Sequence, residues 1–227
     1  MRFSFFLLIF VSMAIHTNEL PMYSAKYEFN SDEISIVGKR ELIKNQDGYE
    51  LEFKANNIIA SLYFSSKFNI NEGTVESKTY EIKVTPRFVN RDQKIIFDYE
   101  RNIMSSNGRE AWEKIFNPDD EYVVDPLNAQ IMIRINLKKG LTEFSLNLLE
   151  IESGVIEENI YKIIGNETLF VNGQSFDCVV LSRIRKNENR ETTYYLAKKL
   201  EYMFIKIIDS SPDRTDKLEL KELLSFG

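Results

Sequence analysis

The sequence predicts an all-β, mainly antiparallel fold: a curved sheet, half-barrel or barrel, with one covering helix near residues 126–139. Three observations carry that expectation. Apolar residues recur with a period of two rather than the helical period of about 3.6. Pairs of turn residues containing glycine punctuate the chain between apolar runs. One segment alone carries helix start and stop signals.

The first element is a leader. Arg2 supplies a short positive region, Phe3 to Met13 is almost wholly apolar, and Ser12-Met13-Ala14 offers small residues at a cleavage site. This is the build of a secretory signal peptide over residues 1–14. The apolar run is well short of the ~20 residues of a spanning helix, so no transmembrane anchor is expected after cleavage. A lipoprotein signal would need a Cys just after the cleavage site, and the single Cys is Cys178. A periplasmic or secreted protein is expected, with residues 15–227 forming a single antiparallel β domain. Cleavage would leave 213 of the 227 residues, 28 basic against 35 acidic, a balance of −7. Such a surface argues against nucleic-acid partners and against electrostatic docking on anionic lipid.

The strands follow. Tyr23, Ala25, Tyr27 and Phe29 alternate with Ser24, Lys26 and Glu28, giving one apolar and one wet face. Tyr80, Ile82 and Val84 repeat the pattern, as do Ile95, Phe97 and Tyr99, and later Leu218 and Leu220. Turns are expected at Asp47-Gly48, Glu72-Gly73, Asn107-Gly108, Ser153-Gly154, Asn172-Gly173 and Pro212-Asp213. Asn172-Gly173 is the strongest of these. The spacing gives about ten to thirteen strands. Two strands, Phe176-Ile184 and Tyr202-Ile208, are apolar on both faces, so something must cover the sheet.

The helix is placed at Pro126 to Lys139. Asp125 can cap it, Pro126 suits its first turn, and Gly140 can end it after Lys138 and Lys139. The period there is ambiguous. Leu127, Ile131 and Ile135 have helical spacing, yet Ile131, Ile133, Ile135 and Leu137 alternate like a strand. The loop Asn117-Pro118-Asp119-Asp120 could divide the chain, but no Gly/Ser/Pro-rich linker accompanies it.

Several segments carry a resemblance. They are Tyr23-Ser-Ala25-Lys26-Tyr27, Asp47-Gly48-Tyr49, Asp125-Pro126-Leu127-Asn128-Ala129-Gln130 and Gly165-Asn-Glu167-Thr168-Leu169. Further on come Arg190-Glu191-Thr192-Thr193-Tyr194-Tyr195-Leu196-Ala197 and Leu200-Glu201-Tyr202 with Ile205-Lys206-Ile207. In this order the chain resembles exported bacterial proteins of the family labelled domain of unknown function 3108. Tyr195 stands where that family usually has Trp, and Phe204 where it usually has Pro. The stretch Asn90 to Asp125, which holds Trp112, is the least similar. The resemblance implies an exported antiparallel β domain and brings no catalytic residue.

Composition excludes much chemistry. There is one His and one Cys. His16 lies beside the cleavage point, which leaves the folded part without a Ser-His-Asp or Cys-His arrangement. One thiol makes neither an internal disulfide nor a structural zinc site. Cys178, on a doubly apolar strand, reads as a small buried hydrophobe. Asp119-Asp120-Glu121 with Asp125 could offer oxygen ligands to calcium, but the spacing is not that of a calcium loop. Asn166-Glu-Thr168 fits the short glycosylation pattern. No metal or cofactor is expected, and no enzyme activity.

The function expected is that of a non-enzymatic binding or carrier module for an apolar or lipid-like ligand. The run Ile58-Ile59-Ala60-Ser61-Leu62-Tyr63-Phe64 reads as a greasy lip, with Ile58, Ile59, Leu62 and Tyr63 on one face of a helical turn, or else as a core strand or hairpin corner. Tyr195, Tyr202 and Phe204, with Tyr194, are candidates for lining a pocket or simply for the core. The alternatives are a structural or interaction protein of the bacterial envelope, docking an envelope protein, and a carboxylate-based glycan hydrolase.

Overall fold

The computed structural model describes residues 20–86, 91–117, 122–185 and 189–227. The expected leader (residues 1–14), His16 and the acidic residues Asp119, Asp120 and Glu121 lie outside the described residues.

The chain begins with an up-and-down meander of eight strands: β1 (Tyr23–Asn30), β2 (Ser35–Asn45), β3 (Gly48–Asn56), β4 (Ser61–Asn71), β5 (Thr74–Thr85), β6 (Gln93–Asp98), β7 (Ile103–Gly108) and β8 (Trp112–Ile115). A short β9 (Val123–Val124), the helix α1 (Ala129–Lys138) and β10 (Glu143–Leu149) follow. A second meander runs through β11 (Ile156–Val171), β12 (Gln174–Ile184), β13 (Glu191–Ala197), β14 (Met203–Ser211) and β15 (Arg214–Phe226). All fifteen described strands join one sheet, in the order β8 to β1, then β15 to β9. The first and last strands therefore pair at its centre, with Tyr27 opposite Leu220. A twisted sheet of this many strands must curl. The expected all-β class holds, and the strands exceed the ten to thirteen expected because β8 and β9 span four and two residues, too few to show a period.

Turns form where local chemistry demands positive φ. Glu72-Gly73 and Asn172-Gly173 each have two positive-φ residues between paired strand ends, the geometry of two-residue hairpins. Ser153-Gly154 and Pro212-Asp213 also turn the chain. Two expectations shift. Gly48 and Gly108 sit in the ladder, opposite Asn45 and Gln93, so those turns fall on neighbouring residues.

The helix lies within the expected 126–139 segment, but it does more than cover. Its buried residues include Ala129, Ile131, Met132, Ile133, Ile135 and Leu137, plus Arg134 and Asn136. A helix buried all round needs no single apolar stripe, which explains the ambiguous period. Elements from both meanders grip it. Gln130 accepts from Arg40 of β2, Arg134 Nε donates to the Glu201 carbonyl, and Lys139 Nζ donates to the Gly73 carbonyl. The sheet thus wraps α1. Topology puts it there: β9 and β10 are parallel, and a parallel pair needs a crossover, usually a helix.

Asp125 stands one turn before the helix proper, whose N-cap position is Asn128. Its carboxylate accepts the Leu127 and Asn128 N–H groups and the Ser66 hydroxyl, fixing the turn that feeds α1. At the other end Gly140 has φ +81° and its N–H reaches the Leu137 carbonyl, while Leu141 N–H reaches Asn136. That is a Schellman stop.

Among the described residues the sheet does not close by a backbone ladder. A seam between the edges is filled by Tyr80, Ile95, Phe97, Met104 and Phe116 against Val123 and Leu149. Side chains stitch it. The Ser77 hydroxyl donates to the Val123 carbonyl at 2.8 Å, and Trp112 Nε1–H donates to the Ile151 carbonyl at 2.9 Å. The Trp112 ring lies over Gly154, where a Cβ would come within 2.7 Å of it. No described helix is long and apolar enough to cross a membrane.

Candidate functional site

Helix α1 fills one end of the barrel and leaves the other open. Its last turn packs at the closed end, where Lys138 pairs with Glu201 at 2.8 Å. Its first turn, with Ala129, Gln130 and Ile133, forms part of the floor of a cavity at the open mouth.

Two adjoining cavities occupy that mouth. The first, about 370 Å³, lies between α1 and strands β10 to β14. The second, about 700 Å³, runs across β1, β4 and β5 and carries Phe29, Ile34, Leu62, Phe64, Ile82 and Val84. Glu150, Ile151 and Arg190 border both. These volumes match those of small-molecule sites.

Period two builds the first cavity in layers. On β13, Tyr194 and Thr192 are buried and Arg190 follows beyond the strand end. On β12, the buried Leu181 precedes Arg183, and Arg185 lies beyond. The inward-facing set therefore changes from apolar to aromatic to charged as the strands reach the mouth. Tyr161 and Tyr194 have ring centroids 6.1 Å apart at the apolar-polar boundary. Burial raises both hydroxyls above the ordinary tyrosine value, and Tyr161 hydrogen-bonds Tyr194, so both stay protonated.

Asp209 is the charged hub. Arg190 grips both its oxygens, with Nε at 3.1 Å from each, and Thr192 Oγ1 donates at 2.9 Å. Arg185 lies 3.7 Å away. Burial works against ionisation of Asp209, but the bonds from Arg190 and Thr192 outweigh it and hold the carboxyl below its ordinary value. Burial and the like charge of Arg183 lower the Arg185 guanidinium. Arg183 Nε donates to Asn159 Oδ1 at 2.9 Å.

The sequence-predicted site residues separate. Leu62 lines the second cavity. Ile58 and Ile59 are 105% and 80% exposed, on the β3–β4 hairpin turn beside the cavity-lining Ala60. Tyr63 is on the outer face, between Lys54 and Lys83. The shared helical face expected for these four residues does not exist. Residues 58 and 59 form a turn while Leu62 and Tyr63 are on a strand, where neighbours point to opposite faces. Tyr195 faces outward against Lys206. Tyr202 sits in the β13–β14 turn with φ +57°. Phe204 is buried against Tyr194, and its carbonyl accepts the Tyr27 hydroxyl. Cys178 is buried, as expected of a core residue, and burial pushes its thiol up to about 11. Sequence reasoning missed Arg183, Arg185, Arg190 and Asp209. Their signal was a charged residue appearing at the inward phase of an otherwise apolar strand.

The fold has a solved counterpart. A β-barrel-like protein of domain of unknown function DUF1849 from Brucella abortus is similar over 90% of this chain and 97% of its own, with a TM-score of 0.56 at 8% identity. A chain of the Pseudomonas aeruginosa MucA/MucB complex gives a TM-score of 0.36 at 11% identity, over 92% of this chain and 53% of that one. The Mycobacterium tuberculosis lipoprotein LppX gives 0.26 at 10% identity, over 88% and 85%. No curated protein sequence matches the chain. The family described as protein of unknown function (DUF3108) matches residues 22–218, nearly the whole described sheet, and the chain belongs to that family.

Proposed function

We propose that this protein is a non-enzymatic, exported binding or carrier module whose mouth holds an apolar or lipid-like ligand. The observation that carries the reading is the cavity of about 700 Å³ lined by Phe29, Ile34, Leu62, Phe64, Ile82 and Val84. The apolar part of this lining is stabilised by filling, at about 25 cal/mol per Å² removed from water, while Glu33, Arg91, Arg109, Glu152 and Arg214 line the remainder. Because α1 occupies the far end, the ligand lies at the mouth and is not enclosed by the whole barrel. Export rests on the leader-like residues 1–14.

The test is titration of detergent-free protein with an environment-sensitive fluorescent fatty acid, alongside mass spectrometry of solvent extracts. Saturable binding that is lost in Ile34→Asp and kept in Ile58→Ser supports the reading. Absence of both bound lipid and probe uptake overturns it.

A second reading has one observation in its favour. Ile58 and Ile59 stand out from the β3–β4 turn, as a contact for an envelope protein would. Crosslinking from position 58 in native envelopes separates the two: a specific adduct lost in Ile58→Ser supports docking. A carboxylate hydrolase draws less support. Its general acid needs a raised pKa, whereas Asp209 at the mouth is ion-paired and held down.

A further inference from the structure

The charges of the mouth narrow the ligand class, a step that rests on the binding reading above. We propose that the ligand is an anionic amphiphile whose carboxylate or phosphate oxygens lie against Arg183, with its hydrocarbon chain on Phe29, Ile34, Leu62 and Ile82.

Three arginines line the first cavity, and they differ in what they already hold. Arg190 and Arg185 are committed to Asp209. Arg183 has neutral neighbours: its Nε donates to Asn159, and the Tyr194 hydroxyl lies beside it. Among the described residues no carboxylate comes within ion-pair distance of Arg183. Asn159 is 1% exposed and spends its Nδ2 on the Glu157 carbonyl, so its Oδ1 is a fixed acceptor that orients the guanidinium.

A half-buried, oriented guanidinium without a counter-ion is a pre-organised anion site. Its planar fork matches a carboxylate or phosphate. The protonated Tyr194 hydroxyl beside it is a further donor, while the Tyr161 hydroxyl is bonded to Tyr194. The carboxylates that share the lining are otherwise engaged or peripheral. Glu150 accepts the Ser153 N–H at 2.6 Å, Asp209 is held by arginines, and Glu157 is exposed at the rim. Glu150, Ile151 and Arg190 line both cavities, so a tail leaving the first passes beside them to reach the apolar side chains of the second.

The test compares dodecanoate, dodecan-1-ol and inorganic phosphate by calorimetry on the full mature chain at slightly alkaline pH. Dodecanoate is expected to bind on the order of ten- to a hundredfold tighter than dodecan-1-ol. In Arg183→Gln that preference should fall to about twofold or less, with dodecan-1-ol binding unchanged. Arg183→Lys keeps the charge but not the fork and should retain part of the preference. If Arg183→Gln fails to fold by circular dichroism, Arg183→Lys and a salt titration decide, since added salt should shrink the preference. Equal binding of acid and alcohol overturns the head-group assignment while leaving the apolar carrier standing. A preference untouched by Arg183→Gln also overturns it. Inorganic phosphate displacing dodecanoate at comparable concentration overturns the amphiphile in favour of a small-anion site. Binding of neither dodecyl probe overturns the carrier reading as well.

Discussion

At the closed end of the barrel the strands wrap α1, and Ile131, Ile135 and Leu137 are all but sealed from water. At the mouth the same strands carry Arg183, Arg185, Arg190 and Asp209 around cavities that no described segment fills. The closed end also holds cations, but differently. Arg40 and Arg134 lie over the rings of Tyr27 and Tyr23, at 5.6 Å in each case, with neutral acceptors at Gln130 and the Glu201 carbonyl. Arg40 and Arg134 beside α1 rest on aromatic faces and neutral acceptors, whereas Arg185 and Arg190 at the mouth face Asp209. One sheet therefore makes a packed core and a binding cavity, and the difference is set by where α1 stops.

The sharpest way to break this comparison is to place the same charge at both ends. Ile131→Asp puts an unpaired carboxylate into the filled end and should cost more than about 4 kcal/mol or abolish cooperative unfolding. Ile34→Asp, at the half-buried mouth, should cost about 1 kcal/mol and leave a cooperative urea transition. Comparable losses at the two ends would mean the mouth is core.

Asp125 gives the next effect. Burial raises its carboxyl to about 7, against the lowering pull of Ser66 and the Asn128 and Leu127 amides. A folded pKa above the unfolded value of 3.8 means the native state binds the extra proton. That stability is complete below about pH 4 and is lost as pH rises to about 7. The shift of about three units corresponds to about 4 kcal/mol as an upper figure. Urea titrations across this window should show the slope in the native protein and lose most of it in Asp125→Asn, which keeps an acceptor for the helix-feeding amides. An identical slope in the variant would assign the titration elsewhere.

Arg134 is a smaller effect with an unusual sign. It is 1% exposed, and both terminal amino groups lack protein partners. Burial lowers its pKa to about 10. Removing an underpaired buried charge is often neutral or stabilising, so Arg134→Met should leave stability unchanged or raise it by about 1–2 kcal/mol in thermal melts. A loss of more than about 3 kcal/mol would show that its stacking on Tyr23 outweighs its desolvation.

What the sequence disclosed follows the range of each interaction. Glu72-Gly73 and Asn172-Gly173 were readable because positive φ is a local demand. Helix α1 was readable from Gly140 and from the turn after Asp125, though its period was not, since burial on all sides erases a stripe. The mouth was scarcely readable. Choosing Tyr194 over Tyr195 as the inward ring needs the strand register, and a one-residue slip reverses it. Arg183 and Asp209 lie on β12 and β14 and face each other only through the intervening β13. The run at 58–64 drew attention for its hydrophobicity, yet only Leu62, Phe64 and the small Ala60 reach the cavity. Its most apolar pair points to solvent.

The seam was equally hidden, because it joins Trp112 to Ile151 and Gly154 across a sheet edge. It also supplies the smallest and most local test of the comparison. Gln93 and Ile151 belong both to the seam and to the wall of the second cavity, so loosening the seam should disturb the mouth and spare the helix. Trp112→Phe keeps an aromatic ring over Gly154 but removes the donor to the Ile151 carbonyl. A single neutral hydrogen bond of this kind is worth about 1 kcal/mol net, and β8 is an edge strand paired on one side alone. Amide hydrogen exchange should therefore speed up by about fivefold in β7 and β8, as expected for a local opening cheaper by that energy. The α1 amides, held by packing on every side, should keep their native exchange rates. Equal acceleration in α1 would mean that the seam and the filled end open as one unit, and that the mouth cannot widen without releasing the helix.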